Sequence, residues 1–279
     1  MKIAMQDPSK PIWFNKSKEE NKKQDPEPKK FSIFVATPCH SEVSIHYFQA
    51  CLDFQKQCMK NNVLVSFQIM KSSLVTQGRN LCVSSFMESG HTHLLFIDSD
   101  IDFQGQSIFK MIASDKEVIS VPYPLKDFNW DKGWQRIQAG EIKSAKDLKF
   151  KGFYRYPMKV EHEDNIKVED GCIEVTHSPT GCMLIKRETI EKMIKAYPEM
   201  EIEQKTIING QMINRPYYYN LFDTQFDPKK KTYMGEDFAF CKRWKDIGGK
   251  CYALVTDRIS HVGEHQYRGC FADELIKTK

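Results

Sequence analysis

The most constraining feature of this sequence is a short apolar run that leads directly into two carboxylates. Residues 94–97 are Leu-Leu-Phe-Ile, and Asp98 and Asp100 follow with one serine between them. An uninterrupted apolar run of this length is typical of a strand that is buried on both faces of a parallel sheet. Open α/β sheets bind their ligands beyond the carboxyl ends of such strands. The run therefore predicts a buried strand that delivers two carboxylates to a ligand-binding edge.

The carboxylate pair has two interpretations. In an extended chain, side chains two residues apart point the same way, so Asp98 and Asp100 would face one ligand. Carboxylate oxygens suit a divalent ion such as Mg2+ or Mn2+, with water and phosphate filling its other positions. The alternative is a solvated acidic turn that caps the next helix. Asp102, two residues further on, offers a second register for the same pattern.

The composition is that of a globular protein. The chain has 279 residues, of which 41% are hydrophobic and 28% charged, enough for one large domain or two small ones. It has no apolar run that could span a bilayer and no apolar core of a signal peptide at its start, so we expect a cytoplasmic protein without a transmembrane segment. The nine cysteines include no Cys-x-x-Cys pair, which favours reduced thiols over a structural zinc site.

The charge distribution disfavours a partner that is bound mainly through phosphates. The net charge of +4 includes +3 from residues 1–30, where eight lysines oppose five acidic residues, so the rest of the chain carries only +1. Proteins that make many phosphate contacts usually show a stronger basic bias. The basic clusters at 229–231 and 242–245 are expected to be solvated surface or local phosphate contacts. Residues 1–30, rich in Lys, Glu, Asn and Pro, are predicted to form a polar tail or lead-in.

The order of the predicted elements indicates an α/β fold. Strands and helices alternate up to about residue 124, which favours a parallel, doubly wound sheet. In the first helix, predicted over 42–60, Ile45, Phe48, Leu52 and Met59 share one face. Residues 125–170 are charged and aromatic, without a clear helical period. The predicted strands are 31–37, 63–70, 93–97, 118–123, 172–176, 182–186 and 251–255, and the other predicted helices are 72–87, 106–114, 187–197 and 237–247.

Three features of the second half have both a chemical and a structural interpretation. Glu236 and Asp237 precede a helix, where the helix dipole favours acidic residues, but either could instead project into a cleft as a general base. His261 follows the last predicted strand and is either a surface or core residue or a metal ligand. Gly181 precedes a strand, where a missing side chain permits a ligand to approach the backbone closely, although glycine turns are common.

Six motifs, taken in this order, resemble the GT-A glycosyltransferases, and most closely their family 2-like branch. They are Thr37-Pro38 at a strand end, Arg79-Asn80 in the second helix, Asp98-Ser99-Asp100, Gly181-Cys182 before a strand, Gly235-Glu236-Asp237 and His261-Val262-Gly263. Each motif is common by itself, and their shared order is what makes the resemblance specific. It covers about residues 31–265.

The resemblance implies an α/β fold of GT-A type, with a Rossmann-like, mostly parallel sheet and a smaller mixed half that binds the acceptor. Residues 31–124 would form the half that binds the nucleotide-sugar, and residues 125–279 the acceptor-binding and catalytic half of the same domain. The implied activity is metal-dependent transfer of a sugar from a nucleotide-sugar, with UDP-sugars expected, to a hydroxyl group. The implied acceptor is a glycan or glycoconjugate, with inversion at the anomeric carbon.

The resemblance also assigns roles to residues. Asp100 would bind Mn2+ or Mg2+ with His261, and Asp98 would face the ribose or the metal's water shell. Asp237 would be the base that deprotonates the acceptor, with Glu236 as its rival. The remaining donor-binding residues would be Thr37, Pro38 and His40 at the nucleotide base, Arg79 at the base or diphosphate, Ser99 between the two aspartates, and Gly181 and Cys182 at the donor sugar. Family members often hold the base with an acidic residue soon after the first strand, and Glu42 is the nearest such residue here.

Three alternatives stay open at this point. One is a glycosyltransferase of the virus type that modifies hydroxylated bases of DNA, with the lysine-rich tail and basic clusters contacting phosphates. Another is a nucleotidyltransferase with paired aspartates, although the glycine-rich loop and lysine expected after its first strand are absent from residues 37–42. The third is a non-enzymatic binding module, for which replacing Asp237 would leave the protein's activity unchanged.

Overall fold

The strand that carries the apolar run is buried on both faces, as its sequence predicts. In the computed structural model it is β3, His93–Ile97, and Leu94, Leu95, Phe96 and Ile97 are all fully buried. The structure describes residues 31–151, 153–160, 166–203, 205–208 and 210–265. The predicted tail at 1–30 and Cys270 lie outside these ranges.

The elements before residue 125 alternate as predicted, with ends that shift by a few residues. The strands of the whole described chain are β1 Ser32–Cys39, β2 Leu64–Lys71, β3 His93–Ile97, β4 Ile101–Asp102, β5 Val118–Ser120, β6 Lys159–Val160, β7 Cys172–His177, β8 Cys182–Lys186, β9 Thr206–Ile208, β10 Gln211–Ile213, β11 Gln225–Asp227, β12 Thr232–Met234, β13 Cys251–Leu254 and β14 Ser260–His261. The helices are α1 Ile45–Lys60, α2 Val75–Ser89, α3 Gly105–Ala113, α4 Trp130–Gln138, α5 Ala145–Lys151, α6 Arg187–Ala196 and α7 Glu236–Asp246, with a short 3-10 turn at Pro198–Met200.

The central sheet has eight strands in the order β2-β1-β3-β8-β5-β13-β7-β6. Strands β1, β2 and β3 are parallel, as are β5 and β13, whereas β8 and β7 run antiparallel to their neighbours. Strands from both halves of the chain are therefore interleaved in one sheet. The predicted fold class is confirmed: this is an α/β fold with a mostly parallel central sheet, as expected of a Rossmann-like GT-A type fold.

Helices cover both faces of the sheet, and this explains why its inner strands are continuously apolar. Along β3, Leu94 and Phe96 join a core on one face, whereas Leu95 and Ile97 join a core on the other. The first core includes residues of α2, α6 and α7, and the second includes residues of α1 and α3. A strand between two cores needs apolar side chains at every position, so it lacks the alternation of a half-exposed strand.

Helix α1 does not bury the face on which its large apolar side chains were grouped. Ile45, Phe48, Leu52 and Met59 do share one face, but that face is exposed. The inward face is formed by two aromatic and three small side chains, namely Tyr47, Phe54, Ala50, Cys51 and Cys58. The interpretation followed the apolar side chains at helical spacing, whereas three of the five inward positions are Ala or Cys, which carry little of the apolar signal.

Two further expectations about the chain have clear outcomes. The aromatic stretch after residue 124, which showed no helical period, contains the short helices α4 and α5. The eight cysteines in the described ranges are buried and form no disulfide bond with one another. None of the helices in these ranges is both long and apolar enough to cross a bilayer.

Candidate active site

Several strand ends meet at one edge of the sheet and fix the position of the turn at 98–100. The N–H of Asp98 donates to the carbonyl of Gly181 (3.1 Å), just before β8, and the N–H of Ser44 donates to the carbonyl of Ser99 (2.8 Å). The Ser44 side chain also caps α1. The turn is therefore tied both to the antiparallel strand β8 and to the loop that follows β1.

The two aspartates of this turn do not share one partner. Strand β3 ends at Ile97, and the N–H of Ile101 donates to the carbonyl of Asp98 (3.1 Å), so residues 98–100 form a turn rather than an extended segment. The argument from two-residue alternation therefore does not apply to them. Asp98 pairs with Arg79, whereas Asp100 pairs with Lys126 and His261. Asp102 lies in the short strand β4, whose partner is β14.

Arg79 connects the turn to the start of α7. Its Nη2 donates to Asp98 (3.0 Å) and its Nε donates to Oε1 of Glu236 (3.2 Å), while the guanidinium lies over the ring of Phe96 at 5.3 Å. The side chain is only 3% exposed, so burial alone would lower its pKa, but the charges of Asp98 and Glu236 raise the pKa above the ordinary value. In the structure, Arg79 is thus a buried cation shared by two carboxylates.

Asp237 is the acidic residue of this edge whose pKa is suited to a base near neutral pH. Burial, followed by the nearby charge of Glu236, raises the pKa of Asp237 from 3.8 to about 6. The N–H of Phe238 donates to its Oδ1 (2.8 Å) and acts in the opposite direction. Arg79 forms an ion pair with Glu236, whereas the neighbouring carboxyl of Asp237 forms no ion pair within the part of the chain that the structure describes.

A second ionic group surrounds Asp100. Its Oδ2 lies 2.5 Å from Nζ of Lys126 and 3.3 Å from Nε2 of His261. The other ring nitrogen of His261, Nδ1, lies 3.0 Å from the carbonyl oxygen of Pro124. Burial would raise the pKa of Asp100, but hydrogen bonds from His261 and Lys126 outweigh it and lower the pKa to about 2. Asp100 is therefore a carboxylate at all ordinary pH values.

Tyr123 lies between the two ionic groups and was missed as a site residue. Its ring contacts that of His261 (centroids 4.8 Å apart). Burial raises the pKa of its hydroxyl far above the ordinary value, and the charges of Asp98, Asp237 and Asp100 contribute to the same shift. All three carboxylates thus lie close enough to Tyr123 to act on it. Its place after β5, at the carboxyl edge of the sheet, is the signal that would have identified it.

Gly181 makes room for this tyrosine. A Cβ on Gly181 would lie 2.4 Å from Cε1 of Tyr123, which is closer than packed atoms allow. Cys182, next along the chain, is completely buried, and burial raises the pKa of its thiol to about 12. In the structure, Tyr123 thus occupies the space that a side chain at position 181 would need, and Cys182 is a core residue.

The residues predicted to line the nucleotide base lie at the end of β1. Thr37 is completely buried, and its hydroxyl forms a hydrogen bond of 2.6 Å with that of Tyr47. Pro38 is also buried and packs close to Gly78 of α2, where an added Cβ would lie 3.2 Å from Cβ of Pro38. His40, in contrast, is exposed. Of these three predicted residues, His40 is the one whose side chain reaches solvent.

Asp100 and His261 fit a divalent ion as two of its ligands. A carboxylate oxygen and an imidazole nitrogen are suitable donors for Mn2+, and metal-binding histidines commonly have their other nitrogen held by a carbonyl, as Pro124 does here. No group of three or more His, Cys, Asp or Glu side chains in the described ranges is arranged around a possible ion. A metal at this pair would therefore take its other ligands from substrate and water.

A cavity of about 1100 Å3 opens beside this pair and is bounded by Lys126, His261 and Gly263. One wall is aromatic: Phe128 packs against Trp130 and Tyr154, with ring centroids 5.3 and 5.9 Å apart. Trp130 is 62% exposed although it sits on this wall. The lining includes three cationic side chains, Lys126, Lys149 and Arg258, and three anionic ones, Asp127, Asp257 and Glu264. The formal charges of the lining therefore cancel.

Comparisons with known proteins give low similarities. No family model matches the chain, and no curated protein matches its sequence. Among solved structures, A197 from STIV is 18% identical with a TM-score of 0.42, over 86% of this chain and 98% of that one. UDP-glucose pyrophosphorylase complexed with UDP-glucose is 9% identical (TM-score 0.39; 81% and 91% covered). A glycosyltransferase involved in glycosylation of the major capsid of PBCV-1 is 11% identical (TM-score 0.30; 60% and 66% covered). All three TM-scores are below 0.5, so the functional proposal rests on the residues of this chain and not on these similarities.

Proposed function

We propose that this protein is a metal-dependent glycosyltransferase that moves a sugar from a nucleotide-sugar, with UDP-sugars as the expected donors, to an acceptor hydroxyl. The observation that supports it best is that two acidic residues at one edge of the sheet have pKa values shifted in opposite directions. Asp237 has a pKa raised to about 6, and Asp100 has a pKa lowered to about 2 beside His261. One group suits proton transfer near neutral pH, and the other suits permanent binding of a cation.

In the proposed reaction, Asp237 is the general base. Its carboxylate takes the proton of the acceptor hydroxyl as that oxygen forms a bond with the anomeric carbon of the donor sugar. The bond from this carbon to the nucleoside diphosphate breaks in the same step, and the electron pair leaves with the diphosphate. A single displacement of this kind inverts the anomeric carbon. A pKa of about 6 keeps Asp237 mostly ionised at pH 7 while it still binds a proton readily.

Asp100 and His261 would hold Mn2+ or Mg2+, and the bound ion would offset the negative charge that develops on the leaving diphosphate. Asp98 does not bind the ion directly in this proposal, because its carboxylate is already paired with Arg79. Through its second contact, Arg79 also holds Glu236 in place, so Glu236 is available to raise the pKa of Asp237 rather than to replace it as the base.

The cavity beside His261 supports a neutral glycan or glycoconjugate as the acceptor. Trp130 and Phe128 present aromatic surface at its wall, and the apolar C–H face of a sugar ring packs well on such surface. Because the cationic and anionic side chains of the lining cancel in number, the cavity lacks the positive potential expected of a site for DNA. A DNA acceptor is therefore ranked second.

A donor panel tests this proposal directly. Purified protein is mixed with UDP-, GDP- and dTDP-sugars, with and without Mn2+, and its melting temperature is measured. We expect at least one nucleotide-sugar to stabilise the protein more with Mn2+ than without it. A panel with no response, in the presence or absence of metal, would refute the proposal, and stabilisation by nucleoside triphosphates alone would favour a nucleotidyltransferase.

The acceptor site is tested with a matched pair of variants in helix α4. Trp130 lines the cavity and is 62% exposed, whereas Trp134 is 60% exposed and lies outside the lining. With an oligosaccharide acceptor, Trp130→Ala should raise the acceptor KM about tenfold or more, as expected for the loss of one aromatic stacking contact. Trp134→Ala should leave this KM unchanged. Equal effects of the two variants, or transfer only to duplex DNA, would contradict the assignment.

A further inference from the structure

The ammonium group of Lys126 lies on the oxygen that Asp100 would offer to a metal. Nζ of Lys126 is 2.5 Å from Oδ2 of Asp100, and Nε2 of His261 is 3.3 Å from the same oxygen. A divalent ion bound between this oxygen and Nε2 would meet the ammonium within a few ångströms. Like charges at such a distance repel strongly, so the two cations cannot occupy the pair together.

The surroundings of Lys126 hold its side chain in this position. A Cβ on Gly263 would lie 2.6 Å from Cδ and 3.1 Å from Cε of Lys126, so the lysine stem runs against the bare backbone of Gly263. The φ angle of Gly263 is outside the positive region, so the backbone conformation does not require glycine there. The N–H of Val262 donates to the carbonyl of Asp100 (2.8 Å) and fixes this backbone beside the turn. Space for the lysine is thus the structural use of the glycine.

The loop after β5 contacts both proposed metal ligands, His261 and Asp100. The carbonyl of Pro124 orients His261, and Lys126 follows two residues later. The lysine is 40% exposed and lines the cavity, so its ammonium can leave Asp100 without disturbing the core. An ammonium that leaves Asp100 stays on the cavity wall, where an anionic group of a bound substrate would be its natural partner.

We propose that Lys126 is a built-in competitor for the divalent-cation site of Asp100 and His261, so that an ion binds there only when the ammonium leaves Asp100. This inference rests on the proposed function, in which those two residues hold the metal. Its consequence is that Lys126 sets the metal affinity of the site. In the absence of substrate the lysine keeps this affinity low, and an anionic donor that attracts the ammonium would raise it.

The test measures Mn2+ binding to the protein without nucleotide, by electron paramagnetic resonance of the free ion. Lys126→Met should lower the Kd for Mn2+ at least about tenfold, because it removes a positive charge from the binding oxygen. Gly263→Ala keeps the lysine but fills its slot, and should lower the Kd in the same direction. The matched control is Lys110→Met. Lys110 is also 40% exposed and pairs with the carboxylate of Asp257 (2.7 Å), and this control should change the Kd less than twofold.

Further variants locate the effect and separate it from the function. Adding Asp100→Asn to Lys126→Met should abolish the gain in Mn2+ affinity. A Kd that Lys126→Met leaves unchanged, or a gain that persists without Asp100, would overturn the inference even if the protein transfers sugars. Conversely, a protein that shows the predicted changes in Kd but has no transferase activity would refute the proposed function and leave the competition standing.

Discussion

The raised pKa of Asp237 predicts that the wild-type protein loses stability when this residue ionises. A carboxyl whose pKa rises from 3.8 to about 6 on folding binds its proton more tightly in the folded chain than in the unfolded chain. Its favourable contribution is therefore complete below pH 3.8 and is lost as the pH rises through 6. At about 1.4 kcal/mol per pH unit, the loss amounts to about 3 kcal/mol at pH 8.

The variant Asp237→Asn replaces the ionisable group with a neutral one of the same shape. Its amide oxygen can still accept from the N–H of Phe238. Relative to wild type, we expect its free energy of unfolding to be higher by up to about 3 kcal/mol at pH 8 and by about half as much at pH 5. Urea denaturation at both pH values measures the difference. The same variant should lose transfer activity, so the residue would be selected for function at the expense of stability.

A neighbouring substitution serves as the control. Glu236→Gln makes the same chemical change one residue earlier, but it removes a charged partner of the buried Arg79. It should therefore destabilise the protein by about 2 kcal/mol, opposite in sign to the effect at Asp237. The reasoning is refuted if Asp237→Asn is no more stable than wild type at pH 8, or if its advantage does not shrink at pH 5.

Three more predictions concern the same edge of the sheet. The rate of transfer, kcat/KM, should rise with pH around 6 as Asp237 loses its proton, and Glu236→Gln should move this rise to lower pH; initial rates from pH 4.5 to 8 check both. Arg79→Met should cost about 3–5 kcal/mol in urea denaturation, because it leaves two partly buried carboxylates without their cation, and a smaller loss would count against the network. Gly181→Ala should cost about 1–3 kcal/mol through its clash with Tyr123, and adding Tyr123→Ala should relieve that clash, so additive costs in a double-mutant cycle would contradict it.

The strands buried between two cores were the most predictable part of the fold. The predicted strands at 93–97 and 182–186 coincide with β3 and β8, because the positions that lie between the two cores, 94–97 and 182–185, are all apolar. The buried face of α1 was not predictable from large aliphatic residues, since its inward face uses Ala50, Cys51 and Cys58. The short helices α4 and α5, within the stretch 125–170, were missed because α4 is mostly polar and exposed and α5 is only seven residues long.

The location of the candidate site followed from the sequence, but its internal connections did not. A strand-end rule placed Asp98 and Asp100 just beyond the carboxyl end of β3, where the structure also has them. The sequence did not predict that Arg79 forms ion pairs with both Asp98 and Glu236, because these two carboxylates lie far apart in the chain. Lys126 follows a strand end as well, but nothing in its local sequence distinguishes it from an exposed loop lysine.

The most direct test of sugar transfer through Asp237 is the release of nucleoside diphosphate from the nucleotide-sugar that stabilises the protein best. The measurement compares wild type with Asp237→Asn at pH 7.5, with Mn2+ and an oligosaccharide acceptor. We predict steady release by wild type and a loss of about 10²- to 10⁴-fold in the variant, with unchanged donor binding. No release by wild type, or equal release by the two proteins, would contradict the proposed reaction.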